Sequence, residues 1–428
     1  MKKAILLLFV GIAMFLGGMA GYVYLLEQEN EQTGMTNEDA NIQVIRGKYL
    51  ALAGNCAACH TLRGGAAYAG GRAVETPFGR VYSSNLTADA KTGLGNWNAD
   101  DFWRAMHHGK SKDGRLLYPA FPYPNYTRIT RADSDALFAY LKTVPAVEQP
   151  NREHELRFPY DSQVMLALWR TLYFRPGTFQ PQAGKSAEWN RGAYLVQGLG
   201  HCNACHTSRD PLGGANTHED LDGGMMAMSS WYAPSLTASS GTGLGKWQKQ
   251  DIVDLLKTGV SQRGAVFGPM AEVVYRSLQH LTDSDVQAIA EYLKSLPRSE
   301  PIAQFNPSLE GRQEMYRVME QGAKLYKKHC ADCHGENGNG KAPAYPPLAG
   351  NHTLTMRSAV NPIRMVLNGG FPPGTAGNPR PYGMPPFRSV LNDDEVAAVV
   401  TYIRNSWGNF AGPVRANEVD RFRSAPVN

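Results

Sequence analysis

Cys56-Ala57-Ala58-Cys59-His60 is the first of three C-x-x-C-H segments in this sequence. The other two are Cys202-Asn203-Ala204-Cys205-His206 and Cys330-Ala331-Asp332-Cys333-His334, and together the three contain all six cysteines of the chain. This pattern is typical of covalent haem attachment, in which both thiols bond the porphyrin vinyl groups and the histidine binds the iron. The sequence therefore predicts three covalently bound haem c groups.

Two other uses of paired cysteines fit the pattern less well. A structural zinc site takes four ligands, usually from two C-x-x-C pairs close together, whereas here each pair stands about a domain apart with its own histidine. A redox dithiol does not require the adjoining histidine. We therefore assign the six cysteines to haem attachment, with His60, His206 and His334 as the proximal iron ligands.

Length and composition restrict the class of protein. A chain of 428 residues is expected to form about two to four domains. Charged residues make up 19% and hydrophobic residues 43% of the chain, which is typical of a globular protein. The formal net charge of +5 comes without a run of Lys or Arg, so we predict no nucleic-acid partner.

The N-terminus predicts the compartment. Lys2 and Lys3 precede an uncharged apolar run at residues 4–26, and acidic residues follow it. A run of this length is about long enough to span a bilayer, and the flanking charges send the following chain outward. We interpret residues 1–27 as a membrane anchor, with a cleaved signal segment as the alternative. Both place the remainder on the periplasmic side of the bacterial inner membrane.

The rest of the chain is interpreted as three units that repeat one plan. Each begins with a helical pattern before its C-x-x-C-H segment, as in Arg46-Gly47-Lys48-Tyr49-Leu50 and Arg191-Gly192-Ala193-Tyr194-Leu195. Each ends with a second helical pattern. The predicted fold is mainly α, with three consecutive domains at residues 42–147, 186–298 and 312–408 behind the N-terminal membrane helix.

The second helical pattern of each unit has a small residue one turn before a tyrosine, which allows two helices to cross closely. The small residues are Ala136, Ala288 and Ala398. Plausible N-caps precede these helices at Thr130, Thr282 and Asn392. Between the first two units, residues 164–169 are predicted to form a helix across the domain surfaces, with interdomain packing favoured over a partner-binding role.

A methionine above the iron is expected in the loop before the second helix, because electron-transfer haems usually take Met or His as sixth ligand. Position and an adjacent proline select Met270 and Met384. The first unit has Phe121 in the corresponding loop, and its Met106 aligns with Leu256 and is predicted to be core. Haem 1 is therefore predicted to lack a strong sixth ligand, with His107 or His108 as the alternative.

Each proximal histidine also needs an acceptor for its other ring nitrogen. Candidate segments are Ser84-Asn85-Leu86, Pro234-Ser235-Leu236 and Tyr345-Pro346-Pro347-Leu348-Ala349. An ordinary turn is the alternative interpretation of each.

From Arg46 to Trp407 the chain resembles the three-haem cytochrome c subunits of bacterial membrane-bound periplasmic dehydrogenases. The resemblance depends on the paired segments Thr92-Gly93-Leu94-Gly95-Asn96-Trp97 and Thr242-Gly243-Leu244-Gly245-Lys246-Trp247, on Tyr118-Pro119-Ala120-Phe121-Pro122-Tyr123, and on Gly268-Pro269-Met270-Ala271-Glu272-Val273-Val274. It implies three class I cytochrome c-like domains. In that family the first loop commonly carries a ligand Met where this chain has Phe121.

The resemblance also implies a function. Such subunits pass electrons from an alcohol, gluconate, fructose or aldehyde dehydrogenase subunit, which carries flavin, a quinone cofactor or molybdenum, to ubiquinone or another membrane acceptor. This sequence has no Gly-x-Gly-x-x-Gly fingerprint and no obvious nucleophile–base constellation, so substrate oxidation is assigned to the partner. Two alternatives are a haem enzyme that uses an open haem 1, and a cytochrome that donates electrons to a terminal oxidase.

Overall fold

The structure, a computed structural model, describes residues 39–226, 229–238, 243–297 and 309–424, together with Gly11, Met14 and Gly18. The rest of the predicted membrane segment, residues 4–26, lies outside the described residues. Within the described part of the chain, no helix is both long and apolar enough to cross a bilayer. The described chain is mainly helical, as predicted.

The first unit is a set of helices with one small antiparallel sheet. We call its first helix, Ala40–Ala53, the opening helix and its last, Arg131–Leu141, the closing helix. Between them lie helices Cys56–His60, Ala99–His108 and Tyr123–Tyr126 and strands Ala73–Thr76 and Gly79–Tyr82. Strand Glu155–Leu156 from the following linker extends this sheet. The linker continues into helix Gln163–Tyr173.

The second unit repeats this order with two small hairpins. Its opening helix is Ala187–Gln197 and its closing helix is Asp283–Ser295. The intervening helices are Asn203–His206, Thr217–Glu219, Lys249–Thr258, Pro269–Arg276 and Leu278–His280. The antiparallel strand pairs are Gly224–Met226 with Trp231–Ala233 and Val260–Ser261 with Gly264–Ala265.

The third unit has no named strand among its described residues. Its opening helix is Leu309–His329 and its closing helix is Asp393–Arg404. The other helices are Ala331–His334, His352–Thr355, Val360–Asn368 and Ala416–Arg423.

Opening and closing helices cross at backbone contact distance in all three units. A Cβ atom on Gly47 would lie 1.8 Å from the carbonyl oxygen of Ala136. In the second unit the corresponding distance from Gly192 to the Ala288 oxygen is 1.9 Å. In the third unit a Cβ atom on Gly322 would lie 2.3 Å from the carbonyl oxygen of Ala398. The predicted close crossing at the three alanines is confirmed, and it requires a glycine on the opposite helix because no side chain fits there.

The closing helices start at the predicted caps. Thr130 Oγ1 accepts a hydrogen bond of 3.2 Å from the Asp133 backbone N–H. Thr282 Oγ1 and Asn392 Oδ1 accept the corresponding bonds in the second and third units at 3.2 and 2.9 Å. These side chains satisfy N–H groups that the first helical turn leaves without an internal partner.

The first two units pack against each other through reciprocal contacts. The Tyr49 hydroxyl of the first opening helix donates to Asp285 Oδ2 of the second closing helix at 2.6 Å. In turn, the Tyr194 hydroxyl of the second opening helix donates to Asp133 of the first closing helix. Because matching residues exchange partners, the two units are related like the subunits of an isologous dimer.

The linker helix Gln163–Tyr173 lies across both of these units, as predicted. Its Gln163 side chain accepts a 2.8 Å hydrogen bond from the backbone N–H of Leu116 in the first unit. At the other end Tyr173 donates to Asp210 Oδ2 of the second unit at 2.7 Å. The helix therefore fastens the pair together.

Candidate haem-binding sites

Each C-x-x-C-H segment forms a short helix directly after its opening helix. The first segment turns at Asn55, which has φ 51°, before the helix Cys56–His60. The six cysteines are unpaired. Burial raises the pKa of the Cys56 and Cys202 thiols to about 12 and that of Cys330 to about 11. These three thiols are therefore protonated near neutral pH.

The three motif histidines have the same hydrogen bond at Nδ1. His60 Nδ1 lies 2.7 Å from the Ser84 carbonyl oxygen, and His206 Nδ1 lies 2.7 Å from that of Pro234. His334 Nδ1 lies 3.0 Å from the Pro346 oxygen. A carbonyl only accepts hydrogen bonds, so Nδ1 carries the proton and Nε2 keeps its lone pair for a metal. The three predicted acceptor segments are confirmed.

Burial lowers the pKa of each of these histidines, although the carbonyl hydrogen bond opposes the shift. A neutral imidazole is the form that binds a metal. Two unpaired thiols beside an imidazole with a fixed tautomer form the donor set that covalent haem requires, so the residues present fit the cofactor.

The three units share a further set of residues around the motif. Three residues in each unit are partly buried against the hydrophobic core of that unit. They are the first cysteine of the motif, a leucine, and the residue at the predicted position of the sixth ligand. The three sets are Cys56, Leu86 and Phe121; Cys202, Leu236 and Met270; and Cys330, Leu348 and Met384. Phe121 therefore occupies the place in the first unit that Met270 and Met384 occupy in the others.

Met270 lies in the first turn of helix Pro269–Arg276, where the sequence predicted a loop. The preceding Gly268 has φ 56°, and a Cβ atom there would lie 2.7 Å from the Trp231 ring. Glycine is needed for this conformation and contact, and Pro269 suits the first position of a helix. The helix fixes the backbone that carries the Met270 side chain.

Met384 is fixed by a different local structure. Its backbone N–H donates to the Gly370 oxygen at 2.8 Å, and its oxygen accepts from the Gly370 N–H at 3.0 Å. A Cβ atom on Gly369 would lie 2.2 Å from the Met384 oxygen. The glycine pair therefore allows the loop that contains Met384 to lie tightly against the end of helix Val360–Asn368.

The first unit contains two buried histidines near its own ligand loop. His107 is fully buried, stacks on Trp103 with ring centroids 4.3 Å apart, and has Nδ1 3.5 Å from Thr127 Oγ1. Burial and the neighbouring His108 lower its pKa to about 3. Met106 is 5% exposed within the first hydrophobic core, in agreement with its predicted core position.

The first two motifs lie against each other's units. Arg72 donates to the carbonyl oxygen of Ala58, inside the first motif, and forms a two-armed ion pair with Glu272 of the second unit at 2.9 and 3.1 Å. In the opposite direction Asn125 of the first unit donates to Asn203, inside the second motif, at 2.7 Å. These residues could not be predicted from the sequence, because no local pattern indicates a contact between units.

The second and third units meet close to the second motif. Burial, with a further effect from nearby His206, lowers the pKa of His352 in the third unit to about 4. The His352 ring lies 5.1 Å from that of Trp247 in the second unit. The first and second candidate sites thus each lie beside the next unit along the chain.

Most of the chain is similar to cytochromes c. The sequence model of the cytochrome c family matches residues 44–145, 190–297 and 319–407. The chain is 39% identical over 400 residues to the cytochrome c subunit of alcohol dehydrogenase (quinone) from Gluconacetobacter polyoxogenes, covering 90% of this chain and 85% of that protein.

Two further relatives are dehydrogenase cytochrome subunits. The gluconate 2-dehydrogenase cytochrome c subunit of Pantoea cypripedii is 39% identical over 404 residues, which are 91% of both chains. The fructose dehydrogenase cytochrome subunit of Gluconobacter japonicus is 36% identical over 407 residues, 89% of this chain and 82% of that protein. The chain belongs to the cytochrome c family, whose members carry covalently bound haem c.

Proposed function

We propose that this protein is the three-haem electron-transfer subunit of a membrane-bound periplasmic dehydrogenase. It relays electrons from a catalytic subunit that carries flavin, a quinone cofactor or molybdenum to ubiquinone or another membrane acceptor. Residues 4–26 anchor it to the inner membrane. The similarity to cytochrome subunits of alcohol, gluconate and fructose dehydrogenases supports this proposal.

The observation that carries the proposal is the set of contacts that join the candidate sites to neighbouring units. Arg72 connects the first motif to the second unit and Asn125 connects the second motif to the first unit, and His352 brings the third unit beside His206. Bound haem supplies one-electron oxidation and reduction of its iron. These contacts keep the first two attachment sites close to each other and the third unit close to the second site, an arrangement that supports a relay.

Each residue of the sites has a proposed role. The cysteine pairs 56 and 59, 202 and 205, and 330 and 333 hold the haems by thioether bonds. His60, His206 and His334 bind iron through Nε2, and their carbonyl partners keep the rings in place. Met270 and Met384 are the sixth ligands of haems 2 and 3.

Purification of the protein from native membranes with its associated subunits tests the proposed function. Mass spectrometry identifies the co-purifying protein, and alcohols, gluconate and fructose are then added in turn to the complex. We expect one class of substrate to reduce the haems, seen in the visible spectrum, and the isolated cytochrome to stay oxidised. Co-purification with a terminal oxidase instead, or haem-dependent turnover by the isolated chain, would contradict the proposal.

Exchange of the proposed sixth ligands tests Met270 and Met384. A thioether raises haem potential relative to a second imidazole, so Met270→His and Met384→His should each lower one midpoint potential in a redox titration. Met225→His makes the same change at an exposed position of the second unit and should leave the potentials unchanged. If Met270→His or Met384→His also leaves them unchanged, that methionine is not the ligand.

A further inference from the structure

Two polar donors are buried without a partner where the third unit packs on the second. Arg364, on helix Val360–Asn368, is 1% exposed, and its Nε has no hydrogen-bond partner among the residues that the structure describes. The Nε1 atom of Trp231 is also buried without a hydrogen-bond partner among the described residues. Trp231 lies on the strand Trp231–Ala233 of the second unit. The Arg364 guanidinium carbon lies 4.8 Å from the centre of the Trp231 ring.

A buried guanidinium is strongly destabilising unless an anion accompanies it. The ion pairs among the described side chains include no carboxylate for Arg364. Burial, together with the positive charge of Arg388, lowers the pKa of the Arg364 guanidinium. The stacking on Trp231 contributes a cation–π attraction, but it does not satisfy the N–H groups. The two donors therefore require an acceptor that is not a described side chain.

The position of Trp231 indicates which group supplies that acceptor. Trp231 is three residues before Pro234, whose carbonyl oxygen accepts from His206 Nδ1. Its ring also covers Gly268, two residues before Met270. Trp231 thus lies between the segments that carry the proximal partner and the proposed distal ligand of the second site. Its buried indole N–H belongs to a ring that contacts the segment carrying Met270.

Two hydrogen bonds beside these donors join the second and third units. The backbone N–H of Tyr232 donates to Asn361 Oδ1 at 2.9 Å, and Asn361 Nδ2 donates to the Tyr232 oxygen at 2.8 Å. Asn361 is three residues before Arg364 on the same helix, which puts both side chains on one face. This amide clamp fixes Arg364 against Trp231.

Arg364 differs in burial and in partners from the residues at the matching positions of the other two units. In the first unit the matching residue is Arg104, which is exposed and forms an ion pair with Asp101 at 2.6 Å. In the second unit it is Asp254, which accepts from Gln250 at 2.7 Å. Only at Arg364 among these three positions is the side chain enclosed by a neighbouring unit.

We propose that Arg364 and Trp231 form a composite anion site in which the third unit supplies the guanidinium and the second the indole N–H for a propionate carboxylate of haem 2. A guanidinium and an indole N–H are both pure donors, and the carboxylate accepts from both. The fixed positive charge stabilises the reduced haem relative to the oxidised one, so the third unit tunes the potential of its neighbour. This assignment depends on haem attachment at Cys202 and Cys205.

The test is a spectroelectrochemical titration of the full-length holoprotein, preceded by a haem count. Arg364→Gln should lower one midpoint potential, reducing the ratio of reduced to oxidised haem at the wild-type midpoint about tenfold, which corresponds to about 59 mV for one electron. Trp231→Phe keeps an aromatic ring but removes the indole N–H. It should shift the midpoint potential of the same haem by less than Arg364→Gln does. Arg364→Lys keeps the charge and should have the smallest effect. The shifted haem should be the one that responds to Met270→His.

Arg104→Gln is the matched control, because it removes an exposed arginine from the equivalent position and should leave the three potentials unchanged. A missing haem in the wild type would contradict the proposed function, whereas a full haem complement with no shift in Arg364→Gln would overturn the anion site alone. The anion site would also be overturned if Arg364→Gln shifts the midpoint potential of the haem that responds to Met384→His. Wild-type potentials that depend on added phosphate or sulfate would identify a solvent anion as the acceptor, against the proposal.

Discussion

Replacement of Cys202 and Cys205 by alanine is expected to remove one haem from the protein and to unfold the second unit. Without the two thiols the haem has no covalent bond to the chain, and denaturing electrophoresis with haem staining should lose about one third of its signal. The second core includes residues partly buried around the site, among them Cys202, Leu236 and Met270. Loss of a group bound only to the native state removes its stabilisation.

This unfolding should extend to the first unit. Tyr49 donates to Asp285 and Tyr194 donates to Asp133, so each closing helix loses a partner when the other unit unfolds. Contact with a folded neighbouring unit stabilises the first unit, and this stabilisation is lost when that neighbour unfolds. Limited proteolysis of the double variant should therefore cleave both the first and second units.

The matched control is the replacement of Cys330 and Cys333 by alanine. That variant should also lose one haem, but it should leave the first two units resistant to protease, because their reciprocal contacts do not involve the third unit. A full haem complement in either double variant would overturn the attachment sites. Equal protease sensitivity of the two variants would contradict the coupling between the first two units.

The local features of this fold could be predicted from sequence, because short-range chemistry determines them. The caps at Thr130, Thr282 and Asn392 and the acceptor segments of the three histidines depend on residues near each element. The helix that carries Met270 was missed, since Gly268-Pro269 is typical of a loop as well as of a helix start.

The contacts between units could not be predicted in the same way. Asp133 and Asp285 lie in the first turns of the closing helices, and each also accepts a hydrogen bond from a tyrosine of the other unit. Arg364 aligns with the polar residues Arg104 and Asp254, so nothing in its own segment indicates burial. Such contacts depend on how folded units dock, which a periodic pattern in one unit does not encode.

The wild-type protein is expected to contain one high-spin haem that binds carbon monoxide when reduced, and two low-spin haems. Phe121 occupies the position of Met270 and Met384 in the first unit, and a phenyl ring cannot bind iron. The ring packs against Tyr126 with centroids 5.3 Å apart, which holds it in the core. We therefore expect haem 1 to have His60 as its proximal ligand and no strong ligand on the other side.

Phe121→Met is expected to convert this haem to low spin and to suppress carbon monoxide binding. The methionine is flexible and close in size, so the core should accept it at a cost of less than about 1.5 kcal/mol. Phe121→Leu is the matched control. Like methionine, leucine has a smaller side chain than phenylalanine, but it adds no thioether, so the high-spin signal should remain. Optical and electron paramagnetic resonance spectra distinguish these outcomes.

His107 is the residue that offers a competing ligand. Its Nε2 is buried without a partner among the described residues, and its lowered pKa of about 3 keeps the ring neutral and able to bind a metal. However, its Nδ1 lies 3.5 Å from Thr127 Oγ1 and its ring stacks on Trp103, contacts that fit a core residue of the helix end. If His107 binds the iron, the wild type will show three low-spin haems and His107→Leu will create the high-spin signal. If Phe121 leaves the iron open, His107→Leu will leave the wild-type high-spin signal in place, and only Phe121→Met will remove it.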